Sequence, residues 1–454
     1  MAGMLWPLLL PLVLASGAGA QIPRLCATTS ALRSKTCCPV WEGDGSVCGE
    51  DSGRGTCQEP AGEGQPQLSE RDFRKGWPTS LYSQICMCQG RFAGFDCGEC
   101  KEGYRGARCE SWKLSVRPGL HEMDWEAKQR FLDYLERAKT TVSERYVILV
   151  TRNTSDVNSY YFHNATVYDI CTWVHYVAAK PIKTRDEPNF AHMGPGFVVW
   201  HRKYLLFFEK EMRHLTQDED FVVPYWDWTR FNSCDICTDE LMGSNDHSGK
   251  LLGTTPLTTW KEICSYDDGD EDNFHLICPE PIGEKTFITR KPGGDHRAQS
   301  LPTHIDVMRT LRIVDFDAFP FNQYAPYSFR NTIEGFKDSE YPGKQMVGLH
   351  NLVHIYLNGS ISQVPSASND PIFMLHHAFI DKIIENYLRA DSTHLRSYPT
   401  HQRVPLGHRD TDYMVPFLPL NRNIDYFNYT VKFGYTYSNA PYTEEDKQFK
   451  IDSP

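Results

Sequence analysis

Between Leu349 and Phe379 the chain places four histidines on two segments of helical character, and few arrangements satisfy that pattern. His350 and His354 are four residues apart, so on a helix they differ by about 40° around the axis and project from one face. That is the reach two imidazoles need to grip one metal ion. The second segment opens Asp370-Pro371, a capping residue and then proline at a first helical position, where a missing N–H does no harm. Phe373, His377, Ile380, Ile384 and Tyr387 then recur at helical intervals, which puts His377 on the buried side. His376 is rotated from it by about 100°. Only one of the two can join His350 and His354, and the stripe points to His377. A second set lies upstream. His175 sits in the helical pattern Ile170–Tyr176, and His192 in the connecting Phe190-Ala191-His192-Met193-Gly194-Pro195. His201 heads a helix on which His201, Leu205, Phe208 and Met212 share a face. Two triplets of neutral imidazole suit a pair of copper ions with a position left open on each, although the ligands alone leave zinc open.

The rest of the chain bounds where such a site can work. With 454 residues there is room for two or three domains. A net charge of -11 and a pI near 5.9 leave no basic surface for nucleic acid. Leu5–Leu14 is an apolar run followed by Ala18-Gly19-Ala20, which reads as a secretory signal peptide over residues 1–20, too short to span a bilayer. No apolar run of membrane-spanning length follows Pro416, so no membrane span is expected. Fifteen cysteines in a secreted chain imply disulfides, and ten of them fall between Cys26 and Cys109. Sequons at Asn153, Asn164, Asn358 and Asn428 agree with passage through the secretory pathway.

These features divide the chain. Residues 21–113 form a cysteine-rich module that resembles an EGF-like unit, with Cys86-x-Cys88, Cys97-x2-Cys100 and Cys109 interleaved with glycines. Such a unit is stapled by sulfur more than packed. Adjacent Cys37 and Cys38 must seek partners elsewhere, and Glu59–Gln67 reads as a surface loop. From residue 114 to 454 the texture is amphipathic. Asp124–Val142 predicts a helix carrying Trp125, Phe131, Leu132 and Leu135, and the fold class is mainly α, a helix bundle with its metal sites between facing helices. Cys234-x2-Cys237 and Cys264 with Cys278 are further loop staples, and Asp267–Asp272 is a solvated acidic run. Val404–Tyr437, rich in Pro, Tyr, Phe and Asn, is expected to be irregular with short strands.

Both histidine triplets, Pro224-Tyr225-Trp226-Asp227-Trp228, Ser328-Phe329-Arg330-Asn331 and Asn369-Asp370-Pro371-Ile372-Phe373 together resemble the vertebrate-type tyrosinases, type-3 binuclear copper enzymes, from about Arg24 to about Tyr437. The resemblance implies that His175, His192 and His201 hold one copper and His350, His354 and His377 the other, with dioxygen between them. It implies hydroxylation of a monophenol such as L-tyrosine to an o-diphenol (L-DOPA) and oxidation of that to an o-quinone, the first steps of melanin synthesis. A monophenol must lose its proton on the way, so a base is needed. By resemblance Glu334, with Asn351, holds a water for that task; the alternative is that Glu334 orients ligands. Phe336, Ser362, Val364 and His376 correspond to the substrate pocket, and Asp227 to a hydrogen-bond acceptor that locks the fold. The implied partners are a phenolic substrate, O2 and other melanin-pathway proteins, in the melanosome lumen or outside the cell.

Two departures from these relatives stand out. Met193 occupies a position where they carry Glu, and the stretch from His175 to His192 is shorter. Their disulfide pattern accounts for fourteen cysteines and leaves Cys171, either a small buried apolar residue or a thiol that turnover oxidises. The rival readings are the zinc-bearing tyrosinase-related enzymes, an oxygen carrier of haemocyanin type, and an adhesion protein built on the cysteine module. The tyrosinase-related enzymes have Phe and Leu where this chain has Trp228 and His376. Glu334 with Asn351 opposes the oxygen carrier, and the small size of the module opposes the adhesion protein.

Overall fold

The computed structural model describes residues 18–60, 72–151, 158, 160–180, 189–264, 286–341 and 347–440. Outside them lie the apolar run Leu5–Leu14, most of the Glu59–Gln67 stretch, the sequon Asn153, the acidic run Asp267–Asp272 and Cys278.

The cysteine module is held by five bridges, Cys26–Cys37, Cys38–Cys57, Cys48–Cys86, Cys88–Cys97 and Cys100–Cys109. Its own buried centre is sulfur, made of Cys48, Cys86 and Cys97 with Cys38, Cys57, Cys88 and Phe92 around them. A unit with so little apolar area gains order mainly because cross-links restrict its unfolded chain. The short helix α1 (Thr29–Ser34) and the strands Thr36–Cys37, Gln84–Cys88 and Gly55–Gln58 complete it. The module is not insulated from the rest: Ile22, Cys26, Phe73, Trp77, Tyr82 and Ile85 belong to the main hydrophobic core. Strand Ala18–Pro23, which includes the A-x-A stretch, pairs antiparallel with Tyr146–Thr151, and that strand pairs with Tyr161–His163.

The remainder is helical, as its periodicity predicts. Helix α2 (Trp125–Thr140) is capped by Asp124, whose carboxylate accepts the Ala127 N–H at 2.7 Å. Phe131, Leu132 and Leu135 are buried, whereas Trp125 is 56% exposed and lies off the stripe. Helix α3 (Val167–Ala179) is buried along its whole length, behind a Thr166 cap. Helix α4 (Gly196–Thr216) packs on α3 and on the long α8. Helices α5 (His304–Thr310) and α6 (Phe329–Glu334) are short and capped by Thr303 and Ser328. Helix α7 (Leu349–Leu357) and helix α8 (Ile372–Ala390) carry the second histidine set. Asp370 accepts the Ile372 N–H at 3.0 Å and also pairs with buried Arg290, so the predicted cap is tied into the core.

The irregular C-terminal stretch performs one structural task. Strand Tyr435–Tyr437 pairs in parallel with Ser115–Arg117. Tyr435 and Tyr437 each donate a hydroxyl to Asp381 at 2.6 Å. Asp381 also takes Arg202 at 2.7 Å and Arg117 at 3.3 Å, and Arg117 reaches Glu209 at 2.8 Å. These charges are buried, so their desolvation must be offset by mutual pairing and by the hydrogen bonds of the two tyrosines. The network locks α8 to α4 one turn from His377 and next to His201.

Of the sequons, Asn164 is exposed, Asn358 and Asn428 are half-buried, and the Asn358 carboxamide accepts the Gly359 N–H at 2.7 Å. Cys234 pairs with Cys237. Cys171 is fully buried, and burial pushes its thiol well above the ordinary range, which opposes thiolate formation. No helix among the described residues is long and apolar enough to cross a membrane.

The module docks on α4 and on Arg145 through charge. Lys203 meets Glu102 at 2.6 Å, and Glu99 is held by Lys210 and by Arg145. Burial alone would raise both carboxyls, but Lys203 holds Glu102 down at about 2, and Lys210 and Arg145 hold Glu99 below the usual range. Carboxylates depressed in the folded state stabilise it fully above their unfolded value of 4.5, and this is lost as pH falls towards 2. The thermal midpoint should therefore fall on acidification from about pH 6 to about pH 3. Calorimetry of Glu102→Gln should show a smaller fall over that window, and an unchanged fall would remove this pair from the account.

Candidate metal centre

Each histidine of the first triplet is aimed by its Nδ1. His175 on α3 has Nδ1 3.1 Å from the Pro365 carbonyl, and His201 on α4 has Nδ1 2.9 Å from the Phe197 carbonyl. His192 has Nδ1 3.2 Å from the Asn189 carboxamide oxygen. An Nδ1–H engaged in this way leaves the lone pair on Nε2 and points it inward. The Nε2 atoms of His175 and His201 are buried without a hydrogen-bond partner. One nitrogen from each of the three rings lies within 4.8 Å of the others.

In the second set His350 and His354 follow the same rule, whereas His377 Nδ1 is buried without a hydrogen-bond partner among the described residues. His350 Nδ1 is 3.0 Å from the Asn351 side-chain oxygen and 3.3 Å from the Glu334 carbonyl, and His354 Nδ1 is 2.7 Å from the Ile361 carbonyl. Their Nε2 atoms are 3.1 Å apart, and His377 Nε2 is 3.2 Å from that of His350. Nitrogens bonded to one ion at about 2.0–2.1 Å in tetrahedral array are about 3.3 Å apart, so these three are already at ligand spacing. The triplets adjoin, with the His201 and His377 rings stacked at 4.1 Å. Burial lowers every one of these imidazoles, His175 to about 3 and His354 to about 4, which keeps the lone pairs free of protons. Inward lone pairs without partners, in two neutral clusters, fit two metal ions and fit little else.

The loop carrying His192 is held by residues that sequence spacing does not single out. The Asn189 side-chain oxygen takes the N–H groups of Ala191 and His192 at 3.0 and 2.9 Å, and its amide donates to the end of α3 at Ala179. The local signal was an asparagine able to form a side-chain turn over the residues that follow. His408, buried and remote in sequence, donates from Nε2 to the Asn189 carbonyl at 2.6 Å and accepts the Gly196 N–H on Nδ1 at 3.0 Å. A Cβ on Gly194 or Gly196 would come within 2.8 or 2.6 Å of the His408 ring, so both glycines are required. No local pattern marks His408 for this role.

Glu334 touches both halves. Its carboxylate accepts the Met193 N–H at 2.5 Å and Arg330 at 3.1 Å, while its backbone carbonyl faces His350. Met193 has φ +64°, in the left-handed region, and this contact secures that conformation. Burial pushes the Glu334 carboxyl up to about 7 against the pull of Arg330. A cavity of about 90 Å³ opens beside the second triplet, lined by His192, His350, Asn351, His354, Ile355, Ile361, Ser362, Val364, Ala367 and Phe373. Ser362, Val364 and Asn351 thus meet there, whereas Glu334, Phe336 and His376 are not among its walls. Asp227 accepts the Thr229 N–H and hydroxyl at 3.1 and 2.6 Å, closing a local turn.

Three substitutions test the site by metal analysis of purified protein. His377→Ala should lose one of two bound ions while His376→Ala keeps both, and the reverse result would place His376 among the ligands. Asn189→Ala should release the ion of the first triplet alone and cost about 1–3 kcal/mol in stability, because it leaves buried N–H groups unpaired.

The family model "Common central domain of tyrosinase" matches residues 165–390, the stretch from α3 to α8. A tyrosinase of Gallus gallus is 39% identical over 446 residues, covering 94% of this chain and 83% of the relative; one of Bos taurus is 40% identical with the same coverage. A human 5,6-dihydroxyindole-2-carboxylic acid oxidase is 37% identical over 454 residues, covering 94% of this chain and 84% of its own. Among solved structures, a polyphenol oxidase of Thermothelomyces thermophila shares the fold with a TM-score of 0.50 at 18% identity, over 71% of this chain and 88% of that one. Relatives of that closeness run along nearly the whole chain, and the matched segment carries all six predicted ligands, so the chain belongs to the tyrosinase family.

Proposed function

We propose that this chain is a tyrosinase that hydroxylates monophenols and oxidises o-diphenols to o-quinones with O2, at copper ions held by His175, His192 and His201 and by His350, His354 and His377. The observation that carries this reading is the pair of adjoining neutral triplets beside a cavity of about 90 Å³ with mostly apolar walls. Copper bound there supplies the redox chemistry, activating O2 and taking electrons from the substrate. For a monophenol the balance is phenol plus O2 giving o-quinone plus water; for diphenols, two diphenols plus O2 give two o-quinones and two waters.

The chain's own residues do the rest. Ile355, Ile361, Val364 and Phe373 offer apolar walls to a flat ring and exclude water around it. The Nδ1 acceptors fix the orientation of every ligand ring but that of His377, so those imidazoles need not reorganise as charge moves. Glu334 lies between the two triplets, which supports it as the acceptor of the phenol proton, with Asn351 on the cavity side. A second reading rests on a specific contact: the Met193 N–H on the Glu334 carboxylate makes Glu334 a positioning residue for the His192 loop.

The bridges of the N-terminal module suit an oxidising compartment, and the chain fits a protein of the secretory pathway. We assign it more narrowly to the lumen of a pigment organelle, among other enzymes of melanin formation.

Metal analysis together with oxygen uptake on L-tyrosine and L-DOPA tests the function. Two coppers and uptake with both substrates are expected; two zincs without uptake would overturn the reading in favour of the tyrosinase-related enzymes. Glu334→Gln should slow tyrosine hydroxylation by about 10²–10⁴-fold, the range for a lost general base, and L-DOPA oxidation much less. Equal losses on both substrates, with copper released from the first triplet, would leave only the positioning role.

A further inference from the structure

His376 poses a problem of exclusion. It is fully buried beside His377, and one of its nitrogens lies within 4.8 Å of a nitrogen from each of His350, His354 and His377. Four imidazoles therefore surround a half-site that works with three, since a fourth ligand would occupy the position a substrate needs.

Trp228 resolves the conflict. Its indole N–H can only donate, and it donates to His376 Nδ1 at 3.1 Å. A ring nitrogen that accepts a hydrogen bond presents its lone pair there, so the neutral ring carries its hydrogen on Nε2. The Nδ1 lone pair is then occupied by the indole, and the Nε2 lone pair does not exist. Nε2 is buried and has no hydrogen-bond partner among the described residues. The donor is itself fixed. Trp228 is buried and packs edge-on against Phe379 at 4.9 Å. Two residues earlier, the Trp226 N–H donates to the Leu375 carbonyl at 3.0 Å, joining the two segments directly before His376. The His376 ring stacks on His350 at 5.1 Å and 18°, and meets the edge of His354 at 4.9 Å. It buttresses two ligands without being one.

We propose that Trp228 and His376 form a ligand-excluding pair: the indole N–H holds His376 in the Nε2–H tautomer, and this keeps one coordination position of the second half-site open. Trp228 is thus a positioning residue that acts through His376. The inference rests on the two-copper reading of the site.

The test uses the full chain with the first triplet disabled by His192→Ala and a single Cu(II) bound, with pulsed EPR counting the coupled imidazoles. Three imidazoles are expected with Trp228 present, four in Trp228→Phe, and three again in Trp228→Phe with His376→Leu. In the otherwise intact enzyme, Trp228→Phe should lower kcat on L-DOPA by about tenfold or more, and adding His376→Leu should restore part of it. Mere loss of packing predicts the opposite, since the double variant removes more side chain. Three imidazoles in Trp228→Phe, or a double variant no better than the single, would overturn the pair while leaving the two-copper reading intact. A parent that binds no copper would overturn both.

Discussion

The centre of this protein depends on keeping seven imidazoles dry and neutral within a few ångströms of one another. A buried cationic imidazole would be expensive, and several side by side would repel, so burial drives every one to its neutral form. A neutral imidazole has one donor and one acceptor, and its chemistry depends on which nitrogen is which. The fold answers that question by hydrogen bonding for six of the seven rings. Pro365, Asn189, Phe197, Asn351 and Ile361 supply oxygens to Nδ1 and free Nε2 for metal, while Trp228 supplies an N–H to His376 and does the reverse. One type of side chain thus becomes ligand or bystander according to the polarity of its neighbour.

Rings so oriented serve only if the helices beneath them stay in register. The charge cluster of Arg117, Arg202, Glu209 and Asp381 provides that, with Tyr435 and Tyr437 completing the shell of Asp381. Such a network adds little net stability over apolar packing, but a one-turn slip of α8 on α4 would strand buried charges, and that penalty favours a single register. The cysteine module contributes too, pairing Glu102 and Glu99 with Lys203 and Lys210 of the helix that bears His201. Packing, charge and sulfur therefore converge on α4.

Between the triplets, Glu334 shows how one residue can serve two half-sites. Its position on the short helix α6 brings its backbone carbonyl to His350 and its carboxylate to the loop after His192. Met193 offers only its N–H to this contact, so its side chain can be varied without disturbing the hold. Asn189 and His408 fasten the loop that carries His192 from its two ends.

Much of this was legible in the order of residues. Helical spacing placed His350 with His354 and put His377 on the buried stripe of α8, since periodicity is a local property that a sequence carries openly. Cysteine density marked the module, and Asp124 and Asp370 marked helix starts for the same local reason. Tertiary structure alone decided what joins distant segments. Nothing around His408 announces that it closes a loop more than two hundred residues earlier, and nothing in Trp228 announces that it governs a histidine on α8. Those contacts depend on how helices pack, and packing sums many weak interactions over the whole chain. The sequence by itself determined which residues could bind metal; the folded chain decided which of their nitrogens are free to do so, because hydrogen bonds made on folding, such as that between His175 and the Pro365 carbonyl and that from Trp228 to His376, fix the tautomers of the rings they reach.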